Sequence, residues 1–297
     1  MCLISPTKKA YNELMAEELN EEKLKELNLK ANKIRQLIIE TLVEAGSGHS
    51  GGPLGMADIF TAFYFHILNH DPKNPGLPDR DRLVLSNGHI CPVQYVTMAL
   101  AGYFPIDELK TLRKINSRLQ GHPHRTSLPG IETTSGPLGE GLSQAIGIAL
   151  TRNLDKKNYH VYCLTSDGEH EEGNTWEAVM FAAKNKLNLI QIIDRNYIQI
   201  DGNTEDIMPL DPLKEKYESF NWNAIEIDGN DIKSFVNAVE KAKTVLDKPT
   251  IIIAKTIPGK GVSFMENDYH WHGKPPNKEE AEKALAELKI VEEKLNA

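Results

Sequence analysis

The sequence predicts an α/β protein in which a parallel sheet is covered by helices on both faces. Short apolar, β-rich runs lie at 160–165, 189–193 and 250–254, and a weaker run lies at 224–227. Helical patterns separate them, at 175–185, 212–220 and 232–246. Apolar runs that alternate with helices are typical of parallel strands buried on both faces. In such sheets, ligand sites lie beyond the carboxyl ends of the strands.

The chain opens with a charged helical stretch over 11–44. Its apolar residues approximate a 3.6-residue period, which predicts one packed face and one solvated face. This helix is expected to stop at Gly46-Ser47-Gly48, since glycines favour the end of a helix. A second helix is expected over 56–68, followed by a loop rich in Pro and Asp over 71–81.

A short apolar strand at 83–85 is expected next, with a helix over 91–101. The stretch over 120–136 is rich in Pro and Gly and is predicted to be a loop. The helix expected over 139–154 contains small residues, which permit close packing on a sheet. A charged helix is expected from Asn277 onward.

Composition excludes several classes of function. The chain has 297 residues, of which 40% are hydrophobic and 26% are charged, as in globular proteins that bury a sizeable core. The net charge of −8 argues against non-specific nucleic-acid binding, which needs a basic face. No apolar run reaches the roughly 18–20 residues that span a bilayer, and the charged N-terminus has no secretory signal pattern. The three cysteines form no CxxC pair, which argues against a disulfide scaffold or a zinc site and indicates a cytoplasmic location.

The ends of two predicted strands carry the most informative residues. The first strand leads into Ser166-Asp167-Gly168, and the next along the chain leads into Asp194-Arg195-Asn196. A carboxylate at a strand end is a hard oxygen ligand for Mg²⁺, and a following glycine lets a phosphate approach the backbone. Adjacent strand ends lie about 5 Å apart, so both side chains could reach one ion. Either residue alone is also explained by a helix cap or a turn, but their pairing favours an ion site.

Four of the ten histidines stand next to a glycine, namely His49, His89, His122 and His272. Glycine neighbours indicate loops, where an imidazole can face a ligand, although one such histidine alone is more simply a surface or capping residue. Neutral imidazoles both donate and accept hydrogen bonds, which suits polyol recognition and proton transfer. The remaining histidines are interpreted as structural: His66, His70, His124, His160, His170 and His270.

The glycines at 46–51 also fit the dinucleotide-binding pattern G-x-G-x-x-G. That motif needs a strand before the glycines and a helix directly after them. The preceding residues are helical by pattern, and Gly52-Pro53 is expected to interrupt any helix after the glycines. The sequence therefore argues against a dinucleotide site here.

The strand-end residues and six further blocks resemble the N-terminal, diphosphate-binding domain of transketolase over about residues 30–280. The thiamine-diphosphate motif of that family is Gly-Asp-Gly, nearly thirty residues, and then Asn. This chain departs from it twice, with Ser166 at the first glycine and Asp-Arg-Asn in the second part. The further blocks, in family order, are Ala45-Gly46-Ser47-Gly48-His49, Ser86-Asn87-Gly88-His89, Gly121-His122-Pro123, Gly136-Pro137-Leu138-Gly139, Ile200-Asp201-Gly202 and Trp271-His272-Gly273.

The resemblance implies that the chain has the thiamine-diphosphate-binding fold and binds thiamine diphosphate and Mg²⁺. Asp167, Asn196 and the backbone carbonyl of Ile198 would hold the metal ion. Gly168 and His89 would contact the diphosphate. The aminopyrimidine and the linker of the cofactor would be lined by Gly136, Pro137 and Leu138.

The resemblance also implies catalytic roles. His49, His122 and His272 would surround the carbonyl and hydroxyls of a ketose, and His272 would also contact the cofactor. Glu172 would join a carboxylate network that relays protons between the two cofactor sites of a dimer. The implied reaction moves a two-carbon ketol unit from a ketose phosphate to an aldose phosphate.

A transketolase is more than twice as long as this chain. Residues 1–297 are expected to form a single diphosphate-binding domain, without the pyrimidine-binding and C-terminal domains. The family's activating glutamate and its stacking aromatic residue would lie in the absent pyrimidine-binding domain. We therefore expect one subunit of a split transketolase, with a partner chain that carries the pyrimidine-binding domain, in an α2β2 assembly.

Other interpretations remain open at the level of the sequence. The chain could be half of an enzyme like 1-deoxyxylulose-5-phosphate synthase or dihydroxyacetone synthase, although Trp271-His272-Gly273 fits transketolase better. It could also be a cofactor-binding subunit without turnover of its own, or a fragment of a longer protein. The sequence does not identify the donor or acceptor sugar.

Overall fold

The structure is a computed structural model that describes residues 19–297. The predicted helix over 11–44 therefore falls partly outside the described residues, as does Cys2. The strands are β1 (Arg82–Leu85), β2 (Val161–Ser166), β3 (Ile190–Arg195), β4 (Ile198–Gln199), β5 (Gly202–Asn203), β6 (Asn223–Asp228) and β7 (Thr250–Lys255).

The α-helices are α1 (Glu21–Ala45), α2 (Gly51–Gly55), α3 (Ala57–Ala62), α4 (Cys91–Ala101), α5 (Glu140–Leu154), α6 (Gly173–Lys184), α7 (Thr204–Ile207), α8 (Leu213–Ser219), α9 (Ile232–Lys243) and α10 (Lys278–Asn296). Short 3₁₀ turns lie at Gly88–Ile90, Ile106–Thr111, Gly168–Glu171 and Tyr269–Trp271, and a π-helical turn lies at Phe63–Ile67.

Five strands form one parallel sheet in the order β1-β2-β3-β7-β6. This confirms the predicted fold class, because helices pack on both faces of the sheet. Neighbouring residues of one strand point to opposite faces. Leu164 and Ile192 belong to an apolar core that includes residues of α1, α3, α4 and α9. Cys163 and Ile193 belong to a second core, shared with α5, α6 and α8.

Helix α1 shows how local sequence sets the element boundaries. The side chain of Asn20 accepts a hydrogen bond from the backbone N–H of Lys23 and so caps the first turn. The helix ends at Gly46, whose φ of 61° is left-handed and therefore favours glycine. Helix α10 packs along α1, where the buried Asn32 side chain donates to the carbonyl of Leu288 at 2.9 Å.

The helix expected over 56–68 is divided into α3 and the π-helical turn at Phe63–Ile67. The structure differs from the sequence predictions in two further places. A helix does follow the glycines directly, at Gly51–Gly55, although Gly52-Pro53 was expected to interrupt it. A proline is tolerated in a first helical turn because the N–H it lacks would have no intrahelical acceptor there. The dinucleotide motif is still excluded, since helix α1 rather than a strand precedes the glycines.

The second difference is a feature that the sequence analysis missed. Strands β4 and β5 form a two-stranded antiparallel hairpin directly after β3. The short helix α7 follows the hairpin at once. Elements of two and four residues are too short to show a hydrophobic period. Among the described helices, none combines the length and apolar character needed to cross a membrane.

Candidate active site

The carboxyl ends of β2 and β3 lie side by side, as the sequence predicts. Ser166 pairs with Asp194 across the two strands, and the backbone N–H of Asp167 donates to the carbonyl of Asp194 at 3.3 Å. The residue after each strand is therefore brought to the same edge of the sheet. Asp167 follows β2, and Asn196 follows β3.

The Asp167 carboxylate is fully buried and held by backbone donors. Its Oδ1 accepts the N–H of Gly168 at 2.9 Å, and its Oδ2 accepts the N–H of Tyr197 at 2.6 Å. The Asn196 amide group is equally fixed. Its nitrogen donates to the Asp194 carboxylate at 2.9 Å, and its oxygen accepts the N–H of Ile198 at 3.0 Å. Both side chains are thus oriented before any ligand arrives.

A cavity of about 370 Å³ opens beside these strand ends. It is lined by His49, Gly52, His89, His122, Gly136, Leu138, Ser166, Gly168, Glu171, Glu172, Asn196, Ile198, Gln199, Ile200, Asp201 and His272. Most of the residues singled out from the sequence therefore line one cavity. Two of them do not, since neither Pro137 nor Asp167 is part of the lining.

The cavity brings three imidazoles into contact. The ring centroids of His49 and His89 are 4.9 Å apart, those of His89 and His272 are 5.2 Å apart, and those of His49 and His272 are 5.5 Å apart. His122 lines the same cavity. These residues come from four separate loops or short turns, and their convergence does not follow from any periodicity of the sequence.

Burial makes these imidazoles weak bases. It lowers the pKa of His49 to about 4, and the neighbouring His272 adds to the effect. Burial also lowers the pKa of His89 well below its usual range, and it lowers the pKa of His122 and of His272. Because a protonated ring is disfavoured, the cluster is neutral at neutral pH and can both donate and accept hydrogen bonds.

Buried carboxyl groups lie beneath the cavity. Burial raises the pKa of Asp167 to about 6, against the opposing effect of the Arg195 guanidinium. Burial raises the pKa of Asp194 to about 7, while its hydrogen bond from Thr256 acts in the opposite direction. At the rim, burial and the nearby Glu172 raise the pKa of Glu171. A cation bound beside these groups would favour their charged forms.

Glu169 is a structural residue of the site that the sequence analysis missed. Its buried carboxylate accepts the N–H of Gly139 at 2.6 Å and the N–H of Ser166 at 3.2 Å, and it also binds the Ser86 hydroxyl. It therefore joins the ends of β1 and β2 to the loop that carries Gly136. The sequence shows acids at 169, 171 and 172, but only the 3₁₀ turn decides which one points inward.

The donor atoms present fit a hard divalent cation that shares a diphosphate. Asp167 and Asn196 supply carboxylate and amide oxygens, the types that Mg²⁺ prefers, and Mg²⁺ commonly completes its shell with phosphate oxygens and water. Within residues 19–297, no group of three or more His, Cys, Asp or Glu side chains is arranged to hold a metal. A metal bound here would therefore need further oxygen ligands, from a diphosphate and from a backbone carbonyl.

Several polar atoms around the cavity are buried without a partner. In the described part of the chain, His49 Nδ1, His272 Nδ1 and Glu171 Oε1 make no hydrogen bond. An unpaired buried polar atom costs about 1–3 kcal/mol. A polar ligand in the cavity could offset that cost, so the atoms fit a site for a polar molecule.

Comparison with known proteins places the chain in one family. Residues 27–294 match the family described as "Transketolase, thiamine diphosphate binding domain". The chain belongs to the transketolase family. The family match and the fold agree, because solved transketolases superpose closely on this chain. Transketolase from Campylobacter jejuni does so with a TM-score of 0.83 and 36% identity, covering 89% of this chain and 42% of that one.

The transketolase relatives fall into two lengths. The 6-deoxy-6-sulfo-D-fructose transketolase subunit SqwG of a Clostridium species is 43% identical over 264 residues, which are 89% of this chain and 96% of the relative. One of the named subunits of the apulose-4-phosphate transketolase of Actinobacillus succinogenes is 42% identical over 268 residues, again 96% of the relative. The human transketolase is 39% identical over 272 residues, but these are only 43% of its length. The chain thus matches named subunits over nearly their whole length and single-chain transketolases over less than half.

Proposed function

We propose that this chain is the diphosphate-binding subunit of a split transketolase, which transfers a two-carbon ketol unit from a ketose to an aldose with thiamine diphosphate and Mg²⁺. The observation that carries the proposal is the position of Asp167 and Asn196 at the ends of two adjacent strands, beside a cavity lined by neutral imidazoles. The family match supports the cofactor. The proposal treats residues 1–297 as a single diphosphate-binding domain of a cytoplasmic enzyme.

The residues proposed to hold the metal are Asp167, Asn196 and the backbone carbonyl of Ile198. Gly168 and His89 are proposed to contact the diphosphate. At Gly168 a Cβ would approach the Cβ of Gln199 to 3.1 Å, which is tighter than ordinary contact. A side chain there would crowd the surface that the diphosphate has to approach, which supports a role for the missing Cβ.

When bound, thiamine diphosphate supplies the nucleophilic carbon that takes up and releases the two-carbon unit. The chain's own contribution is binding, orientation and proton transfer. His49, His122 and His272 are proposed to hydrogen-bond the ketose carbonyl and hydroxyls and to move protons at those oxygens. Their neutral state suits the hydrogen-bonding part of this role, because each neutral ring can donate to one oxygen and accept from another.

Glu172 is proposed to join a carboxylate network that links two cofactor sites of a dimer. It lies on the cavity rim beside Glu171 and Asp201, close enough for both to raise the pKa of Glu171. Gly136, Pro137 and Leu138 are proposed to flank the cofactor, and Gly136 and Leu138 line the cavity.

A second chain is proposed to complete the site with a pyrimidine-binding domain, in an α2β2 assembly. The names of the matched relatives support this, since three of them are called subunits of a transketolase. Exposed apolar residues in the segment after β3 also support it. Ile200 is 66% exposed and borders the cavity, and Met208 is 55% exposed at the end of helix α7. A covering partner would remove this apolar surface from water.

We propose a ketose with an anionic tail as the donor. Relatives of this length are named for apulose 4-phosphate and for 6-deoxy-6-sulfo-D-fructose, which carry a phosphate and a sulfonate. The cavity lining of this chain contains no Lys or Arg among the described residues. The groups that neutralise the tail are therefore proposed to come from the partner chain.

The test begins with calorimetric titration of the purified chain with thiamine diphosphate, with and without Mg²⁺, alone and with a candidate partner chain. We expect binding that requires Mg²⁺. Ketol transfer is then assayed for the chain, the partner and the mixture, with both named ketoses as donors. We expect only the mixture to be active. Full activity of this chain by itself would overturn its proposed role as one half of a split enzyme.

Three further outcomes would contradict the proposal. Binding of thiamine diphosphate that is indifferent to Mg²⁺ would remove the metal from the site. Cofactor binding by the complete assembly without any ketol transfer would favour a non-catalytic cofactor-binding subunit. Formation of 1-deoxyxylulose 5-phosphate or dihydroxyacetone in place of ketol transfer to an aldose would favour one of the related half enzymes.

A further inference from the structure

The side chain of Arg195 is among the largest that are fully enclosed in the described part of the chain, with 1% of it exposed. It stands where the family motif has a different residue, between Asp194 and Asn196. A buried guanidinium needs carboxylate partners to offset the loss of hydration. Its hydrogen-bond partners show which segments of the chain it connects.

The guanidinium contacts the proposed metal ligand Asp167 directly. One terminal nitrogen donates to Asp167 Oδ2 at 3.3 Å and to the Thr204 hydroxyl at 3.0 Å. The other donates to Glu205 at 2.5 Å and lies 3.1 Å from a carboxylate oxygen of Asp211. Arg195 therefore links the end of β2 to helix α7 and to the loop before α8.

The same side chain supports the turn that joins β3 to β4. Its guanidinium carbon lies 4.0 Å from the centroid of the Tyr197 ring. Tyr197 has a φ of 62°, a left-handed conformation that is uncommon for a bulky residue. The Tyr197 N–H donates to Asp167 Oδ2 at 2.6 Å. These contacts of Tyr197 with Arg195 and Asp167 therefore also fix its two neighbours, Asn196 and Ile198.

From this geometry we infer that Arg195 is a positioning residue for the divalent cation. It fixes the Asp167 carboxylate and the 195–198 turn, so that all three proposed ligands are oriented before the ion binds. Asp167 Oδ2 accepts two hydrogen bonds while Oδ1 accepts one. Oδ1 therefore keeps more free acceptor capacity on the side of Gly168, which lines the cavity. This inference rests on the proposed function.

A lysine could not replace all of these contacts. The planar guanidinium directs donors in fixed directions and here bridges Asp167 and Glu205, whereas an ammonium is a single point charge on a flexible stem. The loss of a residue that orients a metal ligand commonly costs about 10–100-fold in metal affinity. Arg195→Lys is therefore expected to bind the ion with an affinity between those of the unaltered protein and Arg195→Met.

The experiment uses Mn²⁺ as the probe, with the full chain, saturating thiamine diphosphate and the partner chain present and absent. Electron paramagnetic resonance gives both the Kd of Mn²⁺ and the spectrum of the bound ion. We expect Arg195→Met to weaken Mn²⁺ binding by about 10–100-fold and to change the spectrum of the bound ion. Arg195→Lys should recover part of the affinity.

Arg152→Met is the matched control. Arg152 is also a buried arginine, but it lies at the end of α5 and donates to the Asn153 side chain at 2.9 Å and to the Tyr159 carbonyl at 3.4 Å. The Arg152→Met variant should show the same Kd for Mn²⁺ and the same spectrum of the bound ion as the unaltered chain. An equal loss in Arg152→Met and Arg195→Met would reveal a general stability effect and overturn the inference.

The remaining outcomes separate this inference from the proposed function. Unaltered Mn²⁺ binding by Arg195→Met would overturn the role of Arg195 and leave the proposed function intact. If the unaltered chain shows no cofactor-dependent Mn²⁺ binding, either with or without the partner, both the role of Arg195 and the proposed function are overturned. If Arg195→Met does not fold, Mn²⁺ binding is measured with Thr204→Val instead. This variant removes one hydrogen bond made by Arg195 and leaves every carboxylate paired. A loss of affinity in that variant supports the inference, and unchanged affinity overturns it.

Discussion

The imidazole rings of His49 and His272 meet edge to face, with centroids 5.5 Å apart, although they stand near opposite ends of the sequence. His49 follows helix α1, and His272 follows the 3₁₀ turn at Tyr269–Trp271. Closing such a long loop costs conformational entropy. The two rings therefore come together only because the complete fold holds both loops at one edge of the sheet.

The burial of His49 predicts how stability depends on pH. The folded chain binds a proton on this ring with a pKa of about 4, whereas the unfolded chain binds it with the ordinary pKa of about 6.5. The unfolded state therefore binds more protons between these values, and the free energy of unfolding falls as the pH falls from about 6.5 to about 4. His49→Gln should reduce that fall by roughly 2–3 kcal/mol. Urea unfolding at a series of pH values measures it.

The control for this prediction is His124→Gln. His124 is exposed and hydrogen-bonds to neighbouring hydroxyls in its own loop. This variant should keep the full pH dependence of the unaltered chain. The same pH dependence in His49→Gln and the unaltered chain would show that His49 is not the group responsible.

Asp167→Ala tests the proposed metal ligand. Loss of the carboxylate should raise the Kd for thiamine diphosphate in the presence of Mg²⁺ at least tenfold, or about 1.4 kcal/mol. The fold should survive, since Arg195 keeps Glu205 and Asp211 as partners. Calorimetric titration measures the Kd, and Asp206→Ala, an exposed acid on helix α7, should leave it unchanged. An unaltered Kd in Asp167→Ala would mean that the metal lies elsewhere.

Replacing each of two glycines of helix α5 by alanine is expected to have opposite effects on stability. A Cβ at Gly141 would lie 2.6 Å from the backbone Cα of Ser86, so Gly141→Ala forces the helix away from the end of β1. We expect a loss of about 1–3 kcal/mol in the free energy of unfolding. Gly147 is exposed with nothing within 4 Å of its Cβ position. Gly147→Ala should therefore gain about 0.5–1 kcal/mol in urea unfolding; a gain in both variants would contradict the close packing.

The buried pair of Arg35 and Asp58 joins α1 to α3. Arg35→Met leaves the Asp58 carboxylate buried without its cation and should cost about 3–5 kcal/mol in the free energy of unfolding. Replacing both residues by Met should restore much of that loss. The exposed pair of Glu279 and Lys283 is the control, and Lys283→Met should not shift the thermal midpoint. A small effect of Arg35→Met would mean that Asp58 is better solvated than its burial indicates.

Much of the fold follows from local sequence, because the strands and long helices carry their own patterns. Strands β2, β3, β6 and β7 lie within two residues of the predicted runs, and helix α4 has the predicted bounds. The second helix, expected over 56–68, was predicted less accurately, because the structure divides that range into α3 and a π-helical turn. Such breaks depend on hydrogen-bond register, which apolar spacing does not determine.

The candidate site was predictable only in part. The pairing of Asp167 with Asn196 followed from two consecutive strand ends, since parallel strands end at one edge. The convergence of the histidines came from family resemblance, because loops at distant positions share no period. The parts played by Glu169, Asp194 and Arg195 were not predicted, since the sequence does not show which partners an acid or a base at the end of a strand or in a short turn will meet.

The sheet order places the site at the ends of two interior strands. Strands β2 and β3 are interior strands, so their amides are hydrogen-bonded to neighbours on both sides. In deuterated solvent, their amide protons should be among the slowest to exchange. The loops above them can therefore change in length or chemistry while the platform beneath stays rigid. Substitutions in the loops around His122 and Ile200 are therefore expected to leave the strands beneath them intact.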